Sequence, residues 1–251
     1  MRIVSWNVNG LRATVASGSL SPIVKSTPDV FCIQELRTTE RPTVIDGYVH
    51  IFNPAEREGY AGTATISRTK PLSERCGFDD SGLDGEGRVI TAEYDRLYLV
   101  NAYVPRSMGD LRRRDYRVRF DDALIELVGG LEAHKPVVVC GDFNAILDDD
   151  DVYEENIHHG ENGEGFASDE RDLLLELVDM GFIDAFRHVH PDAEGAYTWW
   201  SQRRNRRALN RGWRLDYFFV SGAVADRIAD VRHLTEVTGS DHCPILLDIS
   251  L

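Results

Sequence analysis

The 251-residue sequence has little lysine and little cysteine. Three lysines stand against 25 arginines, and 42 acidic residues bring the net charge to −14. Low lysine with abundant Asp and Glu is typical of adaptation to high salt, although an arginine-rich coding bias leaves part of the same pattern. The four cysteines lie far apart, which favours free thiols in a reducing compartment over disulfides or a zinc site: Cys32, Cys76, Cys140 and Cys243.

Long apolar runs are also missing from the sequence. No run approaches the roughly 18 uncharged apolar residues that a membrane span needs. The first residues pass directly into a strand pattern, so we expect no signal peptide and a cytoplasmic protein without membrane contact. No linker, repeat or low-complexity segment interrupts the chain. We therefore predict a single domain over residues 1–251.

Positive charge is concentrated in two segments of this acidic chain. Residues 103–119 hold six arginines and two acids, and residues 201–214 hold six arginines and no acid. An acidic protein repels nucleic acid overall, so clustered arginine indicates a local phosphate-binding surface.

The stretch from Pro136 to Asn144 is the centre of the sequence pattern. Its apolar residues up to Cys140 predict a strand that is buried on both faces. Gly141-Asp142-Phe143-Asn144 follows, and in open α/β sheets ligands sit at the carboxyl ends of strands. A carboxylate two residues from a carboxamide suits a proton acceptor beside a neutral donor. The alternative is an ordinary turn, since Gly, Asp and Asn all favour turns.

Other predicted strand ends also carry polar side chains. They are Asn7 after the first strand, Glu35 after the second, and Ser240-Asp241-His242 before the last. Strand-rich blocks are separated by only a few helices, including one over Asp115–Leu131. This arrangement predicts mixed sheets rather than a regular βαβ repeat.

Six motifs follow one another along the chain: Ser5–Ala13, Ile33–Glu35, Tyr103–Pro105, Gly141–Asn144, Gly212–Phe218 and Gly239–Pro244. With Tyr197–Trp200, they resemble the motifs of the exonuclease III family of abasic-site (AP) endonucleases, within the endonuclease/exonuclease/phosphatase superfamily. The resemblance implies a four-layered α/β sandwich of two packed mixed sheets flanked by helices. It also implies a monomer that uses Mg²⁺, or Mn²⁺ in its place, to hydrolyse the phosphodiester 5′ to abasic sites in double-stranded DNA. Removal of 3′ blocks and 3′–5′ exonuclease activity are expected as well.

The same resemblance implies roles for individual residues. Asp142 would orient or deprotonate the attacking water, Asn144 would hold that carboxylate and the phosphate, and His242 would donate to a phosphate oxygen. Asp216 would fix the tautomer of His242, and Tyr103 would offer its phenol to the phosphate or the leaving group. The expected Mg²⁺ ligands, direct or through water, are Glu35, Asn7 and Asp241.

Two further groups of residues match positions that contact the DNA. The pocket for the baseless sugar would be formed by Trp199, Trp213 and Leu215. The DNA-binding residues would be Arg12, Arg37, Tyr60, Arg106, Arg203 and Arg206. For Tyr103 and the pocket residues, the alternative is an ordinary place in the core.

Four stretches depart from the family pattern. Arg37 stands where the family usually has Lys, and Arg106 stands where it has Asn. Glu161–Glu164 replaces an Asn-rich stretch, and Asp148–Asp151 follows the strand motif where basic residues or His are usual. The departures predict altered DNA affinity and site preference rather than loss of hydrolysis. Arg37 and Arg106 would hold phosphates at high salt, because a guanidinium fork binds them in a better-defined geometry than an ammonium does.

Two competing functions remain at this stage. One is another phosphoesterase of the superfamily, acting on a small phosphate ester or a lipid head group. The two arginine segments and the Trp199-Trp200 pair favour DNA. The other is a binding module without catalysis, which predicts the loss of at least one chemical residue, and none is lost.

Overall fold

Twelve strands form the framework of the computed structural model, which describes residues 1–107, 113–153 and 168–251, without the side chains of 168 and 169. The departure at 161–164 lies outside the described residues. The strands are β1 (Arg2–Asn7), β2 (Val30–Gln34), β3 (Val49–Asn53), β4 (Thr63–Ser67), β5 (Ser73–Cys76), β6 (Val89–Glu93), β7 (Tyr98–Tyr103), β8 (Val137–Asp142), β9 (Phe182–Asp184), β10 (Asp216–Ser221), β11 (Ile228–His233) and β12 (Ile245–Ile249).

These strands make two six-stranded mixed sheets. The first sheet has the order β11-β12-β1-β2-β4-β3, and the second has the order β5-β6-β7-β8-β10-β9. Only β1–β2 and β7–β8 pair in parallel among the described strands, and the other neighbours are antiparallel. The prediction of mixed sheets is therefore confirmed.

Helices cover the outer faces of both sheets. Those described are α1 (Leu11–Ala16), α2 (Ser21–Lys25), α3 (Ser81–Asp84), α4 (Arg114–Glu132), α5 (Ser168–Asp179) and α6 (Ala185–Val189), with 3₁₀ turns at Asp149–Asp151 and Gly222–Arg227. Leu11 and Ile23 pack on the first sheet, and Phe120 and Leu174 pack on the second. A third apolar cluster fills the space between the sheets. The layers run helix, sheet, sheet, helix, which confirms the predicted sandwich.

Strand β8 is buried along its whole length, as its composition predicts. Successive side chains of a strand point to opposite faces, so β8 supplies two cores at once. Val137 and Val139 pack toward α4 and α5, whereas Val138 and Cys140 pack against the first sheet. Cys140 is one of three buried cysteines, and all four cysteines are free.

Gly141 near the end of β8 has a backbone that other residues would not tolerate. Its φ is 142°, and a Cβ atom there would lie 1.8 Å from the carbonyl oxygen of Ala102 on β7. Only glycine lets the two strands approach this closely. The motif glycine thus brings Asp142 beside the end of β7.

Three strands have no counterpart in the sequence prediction. All four residues of β5 are exposed, so it has no buried face to produce an apolar alternation. Strand β9 has only three residues, and β11 is an edge strand with a register shift after Ile228. Backbone pairing, rather than side-chain burial, defines such elements. In the described ranges, no helix combines the length and the apolar character needed to cross a membrane.

A buried ionic network lies behind the segment that leads into β10. Arg214 is fully buried and donates to both carboxylate oxygens of Asp151, at 2.8 Å each, and to Asp184 at 2.7 Å. Arg187 adds a contact of 2.8 Å to Asp151. The acidic stretch after the strand motif is therefore partly structural, because its last member is a core counter-ion.

We expect Asp151→Asn to lower the free energy of unfolding by about 3–5 kcal/mol, because it leaves the buried charge of Arg214 without a full partner. Urea unfolding at pH 7 measures the loss. Asp149→Asn is the matched control, since Asp149 pairs with Arg171 while 71% exposed and should cost less than about 1 kcal/mol. Equal losses in the two variants would contradict the network's importance.

The same ion pairs also predict how the stability difference between the wild type and Asp151→Asn depends on pH. Burial opposes charge on Asp151, but Arg214 and Arg187 outweigh burial and lower the pKa of this carboxyl below its ordinary value. A lowered folded-state pKa gives stability that is present above the unfolded pKa and is lost as pH falls through the folded pKa. The gap between wild type and Asp151→Asn should therefore shrink only below about pH 4.

Candidate active site

Three neighbouring strands of the second sheet end side by side at one edge. Tyr103 at the end of β7 is in register with Asp142 at the end of β8. Asp142 is also in register with Asp216, the first residue of the antiparallel β10. A phenol and two carboxylates therefore lie in one row, all nearly inaccessible to solvent.

The first sheet brings Asn7 and Glu35 to the same place. Asn7 ends β1 opposite Gln34 on β2, and Glu35 follows directly. The Asn7 amide nitrogen donates to Glu35 Oε2 at 2.9 Å and to Asp142 Oδ2 at 2.8 Å. The carboxamide thus links the two sheets across the site. Its oxygen accepts from the backbone N–H of Asn9, so in this arrangement the amide nitrogen faces the carboxylates.

His242 lies between the two carboxylates of the second sheet. Its Nδ1 is 2.8 Å from Asp216 Oδ2, and its Nε2 is 3.7 Å from Asp142 Oδ2. Burial opposes the imidazolium, but Asp216 and Asp142 outweigh burial and raise the pKa of His242 to about 10. His242 is therefore positively charged at neutral pH and can donate from both ring nitrogens.

Asp142 is held as a proton acceptor close to neutral pH. Burial, with help from Asp216, raises the pKa of Asp142 to about 7, although His242 and Asn7 favour its charged form. Asn144 fixes this carboxylate by donating from its backbone N–H at 2.9 Å, while its amide nitrogen donates to the Val104 carbonyl. A general base works best with a pKa near the operating pH, and this carboxyl meets that condition.

Tyr103 stays protonated beside Glu35. Burial and the negative charge of the neighbouring Glu35 carboxylate raise the pKa of Tyr103 well above its ordinary value, although Arg88 opposes them. The hydroxyl is thus a donor rather than a base in this site.

The backbone from Glu35 to Arg37 has an uncommon conformation. Glu35 has φ 61° and Arg37 has φ 50°, and both lie in the left-handed region. Gly10 donates to the Glu35 carbonyl, and Arg37 donates to the Ala61 carbonyl, so segments on both sides hold the loop. Arg37 reaches back to Glu35 Oε1 at 2.5 Å. Such conformations persist only where the surroundings fix them, and they cluster at functional sites.

Two sets of side chains offer oxygen or nitrogen ligands to a metal. The ligand atoms of Asp142, Asp216 and His242 lie within 4.8 Å of one another. Because the charged imidazole of His242 donates to Asp216 and forms an ion pair with Asp142, these three side chains suit proton transfer better than metal binding. Glu35 and Asp241 line the same cavity with hard carboxylate oxygens, which fit Mg²⁺ or Mn²⁺.

The Asp241 carboxyl is ionised at neutral pH. Burial raises its pKa, but His242 and hydrogen bonds from Asn9 and Trp199 outweigh burial and lower it. Asn9 donates to Oδ1 at 2.7 Å, and the Trp199 indole donates to Oδ2 at 3.1 Å.

An apolar wall faces this polar cluster across a cavity of about 400 Å³. Trp199, Trp213 and Leu215 all line it and pack on Ile146 and Val152. The two indoles meet edge to face, with ring centroids 6.2 Å apart. Two hydrogen bonds hold the backbone of Leu215 in place: its N–H donates to the Thr198 hydroxyl, and its carbonyl accepts from the Phe143 N–H.

The expected DNA-binding residues divide into two groups. Arg37, Tyr60 and Arg106 line the cavity. Arg12 lies outside it on an exposed surface, where it pairs with Glu40. Arg206 lines an adjacent hollow that shares Asp241 with the main cavity, and Arg203 is exposed on the same loop.

Sequence reasoning missed four residues near the cavity: Asn9, Glu86, Arg88 and Arg113. Asn9 could have been predicted from the sequence, because it stands two residues after Asn7 in the first motif. Glu86 and Arg88 lie in the loop before β6, where no local pattern marks them. Arg113 is one of many arginines in its segment, and only the fold selects it.

Comparisons with known proteins agree with this geometry. The model of the Endonuclease/Exonuclease/phosphatase family matches residues 4–242. The exodeoxyribonuclease of Bacillus subtilis (strain 168) is 39% identical over 254 residues, covering all of both chains. The DNA repair nuclease APEX1 of Danio rerio is 40% identical over 258 residues, covering 100% of this chain and 83% of that protein. The crystal structure of an AP endonuclease from Leishmania major has a TM-score of 0.85 at 33% identity, covering 98% of this chain and 86% of that one.

We expect Glu35→Gln to weaken Mn²⁺ binding at least about tenfold, because a neutral amide replaces a charged oxygen ligand. Electron paramagnetic resonance of free Mn²⁺ measures the affinity without any reaction. Glu40→Gln is the control, since Glu40 is an exposed acid outside the cavity and should leave the affinity unchanged. Identical affinities in the two variants would exclude Glu35 as a ligand.

Proposed function

Because the chain belongs to the Endonuclease/Exonuclease/phosphatase family, we propose that it is a DNA repair nuclease that hydrolyses the phosphodiester 5′ to abasic sites. One observation carries the proposal furthest. A single cavity holds both a charged proton-handling cluster and an apolar wall with two tryptophans. A phosphodiester reacts at the cluster, and a sugar without a base fits against the wall.

Hydrolysis of a phosphodiester requires a positioned water and neutralised charge. Asp142 accepts the proton of the attacking water, and Asn144 keeps that carboxylate in place. His242, charged and oriented by Asp216, donates from Nε2 to a phosphate oxygen. Tyr103 donates its phenolic hydrogen to the phosphate or to the leaving oxygen.

The metal ion is proposed to be Mg²⁺, with Mn²⁺ as a substitute. Glu35 and Asp241 would hold it, and Asn7 would orient Glu35. When bound, the ion supplies positive charge to the phosphate and the departing oxygen. Both carboxylates already accept hydrogen bonds from neighbouring side chains, Glu35 from Asn7 and Asp241 from Asn9 and Trp199, so their orientation is fixed in advance.

The substrate is proposed to be double-stranded DNA. Arg37, Tyr60 and Arg106 would contact its backbone inside the cavity, and Arg12, Arg203 and Arg206 would contact it outside. The Bacillus subtilis relative is named an exodeoxyribonuclease, and on that support the proposal includes exonuclease activity, in the 3′–5′ direction and with removal of 3′ blocks, at the same site. A monomer suffices for this proposal, since every side chain named comes from one chain of 251 residues that we treat as one domain.

The decisive experiment is nicking of a duplex that carries one abasic site. We expect cleavage 5′ to the site with Mg²⁺ and none with EDTA. Asp142→Asn should lower turnover at least about 10²-fold, because it removes the proton acceptor without emptying a core position. His242→Ala should lower turnover similarly.

The competing phosphoesterase function is tested alongside. Inositol phosphates and a phospholipid head-group ester are offered to the same preparation. Faster turnover of either compound than of abasic DNA would overturn the proposal. Near-normal nicking by Asp142→Asn would instead overturn the assignment of its role.

We expect Trp213→Ala to lower selectivity for abasic sites. A normal nucleotide must unstack and then collide with the wall, whereas an abasic sugar has almost no stacking to lose, a difference of a few kcal/mol. Nicking rates on abasic and intact duplexes give the ratio. Trp200→Phe, in a neighbouring hollow, should leave the ratio unchanged. If the ratio for Trp213→Ala does not fall, this tryptophan is a structural residue and selection occurs elsewhere.

A further inference from the structure

One carboxylate beside the cavity holds two arginines. Glu86 Oε2 accepts from Arg88 Nε at 2.6 Å, and Glu86 Oε1 accepts from Arg113 Nη2 at 2.6 Å. The Arg88 side chain is only 4% exposed, while Glu86 and Arg113 are partly exposed. Burial raises the pKa of Glu86, but the two guanidiniums outweigh burial and lower it, so this carboxylate is charged.

Arg88 makes three separate contacts with Tyr103. Its guanidinium carbon lies 4.5 Å from the centroid of the phenol ring, which is within cation–π range. Its Nη1 donates to the Tyr103 carbonyl at 2.9 Å, and its own backbone carbonyl accepts from the Tyr103 N–H at 2.8 Å. The ring face and the backbone of Tyr103 are therefore held by one residue.

The remaining nitrogen of Arg88 is also engaged. Its Nη2 donates to the Tyr60 hydroxyl at 3.4 Å, and Arg113 donates to the same hydroxyl. All three guanidinium nitrogens of Arg88 thus have partners inside the protein. Because its side chain is only 4% exposed and its nitrogens already have partners, the Arg88 guanidinium cannot also bind a phosphate, unlike an arginine that contacts DNA directly.

We propose that Arg88, held by Glu86, is a positioning residue that fixes the Tyr103 phenol against Glu35 in the reaction cavity. The inference rests on the proposed nuclease function. Misplacing a reacting group by about 1 Å can cost about 10²-fold in rate, so a device that fixes one phenol has a measurable effect. A planar fork contacts a ring face and two acceptors at once, which a lysine ammonium cannot reproduce.

The test is a double-mutant cycle of Arg88→Lys and Tyr103→Phe, read by single-turnover nicking and by DNA affinity. Arg88→Lys should lower the single-turnover rate about tenfold and change the DNA dissociation constant less than twofold. In the Tyr103→Phe background, Arg88→Lys should cause less than a further twofold loss, because the hydroxyl through which it acts is gone.

A matched control exists elsewhere in the chain. Arg68 lies 5.8 Å from the ring centroid of Tyr48 and donates to its hydroxyl, far from the cavity. Arg68→Lys should leave nicking unchanged in both backgrounds. Glu86→Gln is the second variant if Arg88→Lys unfolds, and it should show a smaller loss that Tyr103→Phe also masks. Thermal denaturation of each variant establishes that it is folded.

The possible results distinguish a failure of the positioning role of Arg88 from a failure of the proposed nuclease function. Losses that multiply in the double variant, or a clear rise in the DNA dissociation constant, would overturn the positioning role, since Arg88 would then act on the DNA itself. Failure of the wild-type protein to nick abasic DNA would instead overturn the proposed function.

Discussion

The candidate site depends on one carboxamide between two carboxylates. Glu35 and Asp142 come from different sheets, and two negative charges at short range repel each other. Asn7 donates one hydrogen to each of them and thereby converts the repulsion into a bridged contact. Because Asn7 is the last residue of β1, the central strand pairing of the first sheet sets where the carboxylates of both sheets meet. Any shift of one sheet relative to the other would therefore also change the geometry of the site.

The sequence predicted the interior strands well because burial leaves a pattern in composition. β8 is apolar along its length, and the spacing of Phe120, Leu124 and Val128 marks the buried face of α4. The edge strands could not be predicted in the same way. β5 is wholly exposed and β9 has three residues, so backbone hydrogen bonds to a neighbour are all that defines them. A sequence contains no local record of such a partner.

The candidate site was predictable where a motif holds its residues together, as in Gly141–Asn144 and Gly239–Pro244. It was not predictable where partners come from distant segments. Arg214 stands inside a motif, but the carboxylate that balances its buried charge belongs to Asp151, 63 residues earlier in the chain. That ionic network fixes the backbone between Trp213 and Leu215, so a counter-ion in the core sets the spacing of two wall residues. The acidic stretch at 148–151 predicted altered DNA affinity, but its last residue, Asp151, is buried in the core.

The shortage of lysine has a chemical consequence inside the cavity. None of the residues lining the cavity in the described part of the chain is a lysine, and its cationic groups are guanidiniums with His242. The ring-opened form of an abasic sugar is an aldehyde, and a neutral lysine amine would capture an aldehyde as an imine. A guanidinium remains protonated at neutral pH and has no lone pair for that addition. An aldehyde held against Trp213 and Leu215 would meet no nucleophilic amine there, and the sugar would leave without a covalent tie to the protein.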